Sequence, residues 1–447
     1  RTSLLMPRKI TTILGTTMPP HCSDCSKYVL PFLSILLLIT QQALSCSFLV
    51  TNMLPENSTQ DLSQVLAYSN SAQARRGPDR TSHERTRGHL WLHNLLHMTG
   101  SVKTLQPFKE GDVWAVYNGE IYNAESFAKD DGRSDGRAII PGYSTAGPGF
   151  AKEFDGEFAI VLMDYEKLTM VLASDAFGTK PMFLYVSSEH RFAISSYSSA
   201  IERLAQPAPE PEQIPPNTII TYSLDPSTFS PIPDTKVVSE LRTFDLKQHK
   251  SSTADFISAF KNAIYKRTKH LKTTPFVGLS AGYDSGAIAC ALADQNTPLN
   301  AYTIRGKENL DVINERLAYI SSRATTTLSI RGVNETFDMS SADYEAQSAE
   351  LLVLCERHMY PPNLGYANYG SGRQMDMRID PGAVGLSRIC HAARRDSALV
   401  YFSGTGADEI ISDYGFDGTK LTPHSSFGGK FPENLADVFP WYNFFGG

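Results

Sequence analysis

The chain is poor in cysteine. Six residues in 447 are too few and too scattered for a disulfide framework, and only Cys22 and Cys25 are closely spaced. A basic excess is also lacking. With 41 Lys and Arg against 47 Asp and Glu, the net charge is −6 and the pI near 6.0, so nothing electrostatic points to nucleic acid. The one basic cluster, residues 75–87, carries Asp79 and Glu84 within it and reads as a loop with a solvated face. The apolar run Val29–Ile39 is eleven residues long, too short to span a bilayer comfortably. Repeats at solenoid spacing are absent, as is the G-x-x-x-x-G-K-[ST] loop of common NTPases. What is there, 41% hydrophobic and 20% charged residues, describes a globular chain long enough for two domains.

The most informative stretch is Phe276-Val-Gly-Leu-Ser-Ala-Gly-Tyr-Asp-Ser-Gly-Ala-Ile-Ala-Cys290. It reads as a buried strand, a small-residue loop and a helix start. Such a corner directs several backbone N–H groups at one point with a helix dipole behind them, which suits a phosphate or pyrophosphate. Ser280, Gly282, Asp284 and Ser285 lie in the loop, and Asp284 is a candidate ligand for Mg2+. A second apolar strand, Leu399–Phe402, runs into Ser403-Gly-Thr-Gly-Ala-Asp-Glu409. There Ser403, Gly404 and Gly406 suit a polyphosphate, and Asp408 its metal. Strand-like segments at 276–279 and 300–304, with a helix-like run at 254–269, imply a doubly wound parallel sheet with ligands at the strand C-terminal ends.

The first loop resembles the S-G-G-x-D-S loop of N-type ATP pyrophosphatases, and the second the S-G-x-G-x-D-E motif of asparagine synthetases. Upstream, Arg76-Gly-Pro-Asp79, Val116-Tyr-Asn-Gly-Glu-Ile-Tyr-Asn123, Phe154-Asp-Gly-Glu-Phe-Ala159 and Ser174-Asp-Ala-Phe-Gly-Thr-Lys-Pro-Met-Phe183 resemble the class II glutamine amidotransferase domain of that family. The resemblance covers roughly residues 46 to 425. It implies an N-terminal-nucleophile αββα sandwich, residues 46–224, a linker over 225–252, and an α/β nucleotide-binding domain over 253–447. It further implies ATP and Mg2+, glutamine or ammonia as nitrogen donor, and a carboxylate substrate (aspartate by default) activated as an acyl-adenylate. A homodimer is an assembly the family leaves open. The family continues well beyond the second motif, so the sequence reads as C-terminally incomplete.

The family's nucleophile is a cysteine at the mature N-terminus, whose own α-amino group serves as base. Here Lys27, the apolar run and then Ala43 and Ser45 before Cys46 describe a secretory signal peptide over residues 1–45. Cleavage after Ser45 would uncover Cys46. The expected location is the secretory pathway or outside the cell, without a membrane span after cleavage; it is cytoplasmic if that segment is a gene-prediction artefact. By resemblance, Asn118 and Gly119 form the oxyanion hole. Asp135 takes the α-amino group of glutamine, with Glu120 beside it.

Three positions depart from the family. Leu95 stands where an Arg grips the glutamine carboxylate, Ala281 where Gly is usual, and Thr405 where a Glu is a candidate proton-transfer group. Two other readings therefore stay open: an ATP-dependent amide ligase without glutaminase activity, or a non-enzymatic binding descendant. His89, His93 and His97 have the spacing of zinc ligands on a helix but fall in a strand. Asn57 and Asn334 open glycosylation triplets that chance accounts for, and Glu356 is a candidate for the acceptor site that reads more readily as an exposed helix-end acid.

Overall fold

The computed structural model describes residues 46–404 apart from 55–61, 72, 130–131, 246, 248–251, 307, 324–334, 338–339 and 357–375. The leader-like segment, the asparagines of both glycosylation triplets, and Thr405, Gly406, Asp408 and Glu409 lie outside the described residues.

The first half is built from β1 (Ser47–Thr51), α1 (Leu62–Asn70), β2 (Arg80–Thr86), β3 (His89–Leu95), β4 (Phe108–Glu110), β5 (Val113–Ile121), α2 (Ile139–Ala146), β6 (Gly156–Asp164), β7 (Thr169–Ser174), β8 (Phe183–Val186), β9 (Phe192–Ser195), α3 (Ser198–Glu202), β10 (Glu212–Gln213), β11 (Thr218–Ser223) and β12 (Val237–Glu240). The strands form two six-stranded sheets, β10-β8-β9-β1-β3-β2 and β12-β11-β7-β6-β5-β4. Every neighbouring pair for which a register is defined is antiparallel.

Period-two alternation explains how the sheets stack. Phe48, Val50 and Trp91 meet Val116, Val161 and Met163 between the sheets. Their chain neighbours point the other way. Leu49, Leu90 and Leu92 pack outward with Ile201 of α3, while Phe158, Ile160 and Leu162 pack against Ile139 and Tyr143 of α2. Strands buried on both faces need apolar residues at nearly every position, as β6 and β7 have. The arrangement is the expected αββα sandwich.

The second half comprises α4 (Ala254–Thr268), β13 (Pro275–Gly278), α5 (Tyr283–Asp294), β14 (Asn300–Ile304), α6 (Leu310–Arg323), β15 (Glu335–Phe337), α7 (Ser341–Leu354), α8 (Pro381–Arg395) and β16 (Val400–Phe402). Its sheet runs β15-β14-β13-β16, all parallel. Phe260, Ile288, Leu292 and Ile313 place α4, α5 and α6 on one face, and Ile389 and Ala392 place α8 on the other. Strand order reverses between β13 and β16, which makes their C-terminal ends the crevice of a doubly wound sheet.

The sandwich extends further than the sequence suggests. Residues 237–240, expected as linker, pair with β11 as an edge strand. Leu241 is buried in the core beside α2, and Arg242 donates to the carbonyl of Phe154 at 2.6 Å. All four side chains of β12, Val237 and Val238 included, are exposed, so its place is set by backbone pairing rather than by burial.

Candidate functional site

Cys46 directly precedes β1, the central strand held between β3 and β9. Because Ser47 pairs with Asn94, Cys46 falls opposite the end of β3. Its Sγ accepts the Leu96 N–H at 3.3 Å and lies 3.6 Å from the Leu96 carbonyl. Burial pushes the thiol up to about 12; the Leu96 amide lowers it, Glu120 and Asp135 add to the rise, and Arg76 opposes them. The charges of Glu120, Asp135 and Arg76 thus all act on this sulfur.

β5 supplies the next wall. Asn118 is fully buried and Gly119 sits at φ 152°. A Cβ at Gly119 would lie 2.0 Å from the carbonyl oxygen of Glu157 on β6, so only glycine lets the two strands pass. Asp135 opens a one-turn 3-10 helix capped by Ser134. Its carboxylate accepts from the Tyr117 hydroxyl and the Ile121 N–H, and from Ser134 Oγ at 3.2 Å. Burial still holds Asp135 above the usual carboxylate range despite these donors, and Glu120 is raised further by burial and by Asp135 beside it.

The Arg-Gly-Pro-Asp segment has a physical account here. A Cβ at Gly77 would meet the Asn94 carbonyl at 2.1 Å, so the loop lies flat on β3. Asp79 accepts the His97 N–H at 2.7 Å. Arg76 turns inward, 2% exposed, with its Cζ 5.3 Å from the Tyr197 ring centroid, and its Nε and Nη2 meet no hydrogen-bond partner among the described residues. Leu95, at the position of the expected clamp, is buried hydrocarbon.

At the crevice of the second half, Ser280 N–H donates to Ser285 Oγ at 3.0 Å and Gly282 N–H to Ser280 Oγ at 3.1 Å. Ala281 keeps φ negative, so the substitution for Gly is without backbone strain. Its N–H donates to the Glu308 carboxylate at 2.6 Å, and the Arg316 guanidinium donates to the carbonyls of Ser280 and Gly282 at 2.5 and 2.8 Å. The loop already holds an anion, one belonging to the chain. A Cβ on Gly404 would lie 2.5 Å from Asp284 Cβ, so the two motifs touch across the switch point. Asp284 and Ser403 thus sit at one site with Ser280, Gly282 and Ser285. Among the described residues, no group of three or more His, Cys, Asp or Glu side chains could hold a metal ion by itself, and no helix is long and apolar enough to cross a membrane.

Comparison with known proteins agrees with this geometry. Residues 46–257 match the glutamine amidotransferase domain family. The chain is 31% identical over 348 residues to the glutamine-hydrolyzing asparagine synthetase 1 assigned in Methanocaldococcus jannaschii, covering 73% of this chain and 58% of that protein. It is 23% identical over 382 residues to the glutamine-hydrolyzing asparagine synthetase of Gallus gallus, covering 76% and 62%. Together these matches support membership of the asparagine synthetase family. It spans about three fifths of the length of these relatives. A solved structure of the allosteric regulatory enzyme of purine biosynthesis shares 11% identity at a TM-score of 0.32, over 63% of this chain and 79% of that one.

Sequence reading missed Arg76 as a buried cation, Glu308 and Arg316 as occupants of the loop, and Glu356, which is buried rather than exposed. Only Arg76 had a visible signal, its place in a quartet whose glycine and aspartate are both structural.

Proposed function

We propose that the protein is a glutamine-dependent amidotransferase that makes an amide from a carboxylate, aspartate by default, through an ATP-derived acyl-adenylate, leaving AMP and pyrophosphate. The reading rests most on the convergence at Cys46. One sulfur at the start of a central strand feels the charges of Asp135 and of a buried Arg76, and that strand packs against β5, which carries Gly119.

A thiol pushed up to about 12 is almost wholly protonated at neutral pH and needs a base. Removal of residues 1–45 would free the Cys46 α-amine, whose ordinary pKa of about 8 fits that role. The same segment would direct the protein into the secretory pathway before its removal. Asn118 and Gly119 would then stabilise the oxyanion formed on Cys46, and Asp135 would take the α-amino group of glutamine. In the second half, Ser280, Gly282, Ser285, Ser403 and Gly404 would hold the ATP phosphates, with Asp284 toward Mg2+. The fit is supported by a loop amide that already binds a carboxylate. Gly406 and Asp408 would complete the set.

The test is AMP and pyrophosphate release by the full-length protein, given aspartate or other carboxylates with glutamine or ammonia. AMP formed with aspartate, together with asparagine, is the expected result. AMP with another acid would change the substrate, and no AMP with any acid would overturn the ATP reaction.

A further inference from the structure

Glu356 follows α7 in the second half but spends its carboxylate on the first. It is 9% exposed. Oε1 accepts from Ser198 Oγ and from Ser199 N–H, both at 2.9 Å, and Oε2 accepts from Ser199 Oγ at 2.6 Å. These donors form the first turn of α3, whose N-cap residue Tyr197 provides no side-chain cap. A carboxylate from the other half therefore does what a Ser or Asp cap usually does within one helix.

Two connections lead from this turn to Cys46. Through side chains, Tyr197, 3% exposed, lies against the Arg76 guanidinium, whose charge acts on the thiol. Through the backbone, Tyr197 N–H donates to Ser195 Oγ at 3.2 Å, and Ser195 Oγ donates to the Phe48 carbonyl at 3.0 Å. The Phe48 N–H in turn donates to Ser196 Oγ at 3.1 Å, two residues from Cys46. A cavity of about 300 Å³ beside the contact is lined by residues of both halves, among them Glu202, Cys355 and Arg378.

We propose that Glu356 is a positioning residue for the glutaminase site: it fixes the start of α3 and thereby holds Tyr197, the Arg76 packed on it and the start of β1 beside Cys46, so that glutamine cleavage depends on how the ATP half is seated. The proposal rests on the reading of Cys46 as nucleophile. Arg76 is a cation whose charge favours the thiolate, so its displacement slows turnover more than it weakens glutamine binding.

The experiment uses the chain beginning at Cys46 and its Glu356→Ala, Glu356→Gln and Glu202→Ala variants. Two readouts are taken: glutamine hydrolysis, and the pH profile of Cys46 alkylation by iodoacetamide followed by mass spectrometry of the Cys46 peptide. Glu356→Ala is expected to lower kcat about tenfold with KM within about twofold, and to move the alkylation profile to higher pH. Glu356→Gln, which keeps an acceptor for Ser198 and Ser199, is expected to retain most of the activity. Glu202→Ala, at the same cavity, leaves both readouts unchanged. A Glu356→Ala protein with an unaltered alkylation profile overturns the proposal, whatever its thermal stability. If the parent chain hydrolyses no glutamine, the nucleophile reading fails, and the alkylation profile still decides whether Glu356 acts on Cys46.

Discussion

Gly119 and the paired histidines of β3 show how much single residues carry. At φ 152°, with a carbonyl oxygen 2.0 Å from where a Cβ would stand, Gly119→Ala must push β5 away from β6. The expected cost is about 2–4 kcal/mol, read as a lowered urea midpoint, along with loss of the Cys46 site geometry. His89 and His93 are fully buried, and burial depresses them to about 4 and about 3. Below pH 6.5 the unfolded chain binds protons at both positions while the folded one does not, so stability is complete above 6.5 and declines as pH falls toward 3–4. At pH 5 the loss is about 2 kcal/mol per histidine. Urea unfolding of His93→Gln against the parent at pH 7 and pH 5 should show a shallower pH dependence in the variant; an unchanged slope would contradict this.

At the scale of elements, the loop between β13 and α5 is held by groups from outside it. Glu308 occupies the Ala281 amide and Arg316 ties the carbonyls of Ser280 and Gly282. If the loop receives a triphosphate, Glu308 competes with it. Glu308→Gln should therefore tighten ATP several-fold in a calorimetric titration, since a negative competitor is removed; weaker binding would mean that Glu308 helps the nucleotide instead. Much of this was legible beforehand. The strand at 300–304 and the helix from Ala254 were both readable, because Tyr302, Thr303 and Ile304 are strand formers and α4 is amphipathic. The positions of Cys46, Gly119 and Asp135 followed from short motifs. Glu308, Arg316 and Glu356 did not, because their partners lie 27, 34–36 and 157–158 residues away and no local pattern encodes such a meeting. The edge strand β12 was hidden for a related reason: it contributes backbone hydrogen bonds and buries none of its side chains.

At the scale of the whole molecule, the two halves are joined by charges. Arg267 of α4 reaches Glu157 of β6 at 2.5 Å, with Lys180 at 3.6 Å from the same carboxylate. Burial alone would raise Glu157, but Arg267 and Lys180 outweigh it and hold the group below its ordinary value. Glu157 in turn acts on Glu120, whose charge acts on Cys46. Arg267 and Glu356 thus approach the thiol's surroundings from the second half, one as a cation and one as an anion. The central claim remains that Cys46 is a nucleophile whose own α-amine is its base. The direct test compares glutamine hydrolysis by the chain beginning at Cys46, by the same chain with Ser45 and its predecessors retained, and by a Cys46→Ala chain. Glutamate and ammonia from the first alone is the predicted result. Equal hydrolysis by the extended chain, or none by any of the three, would contradict it.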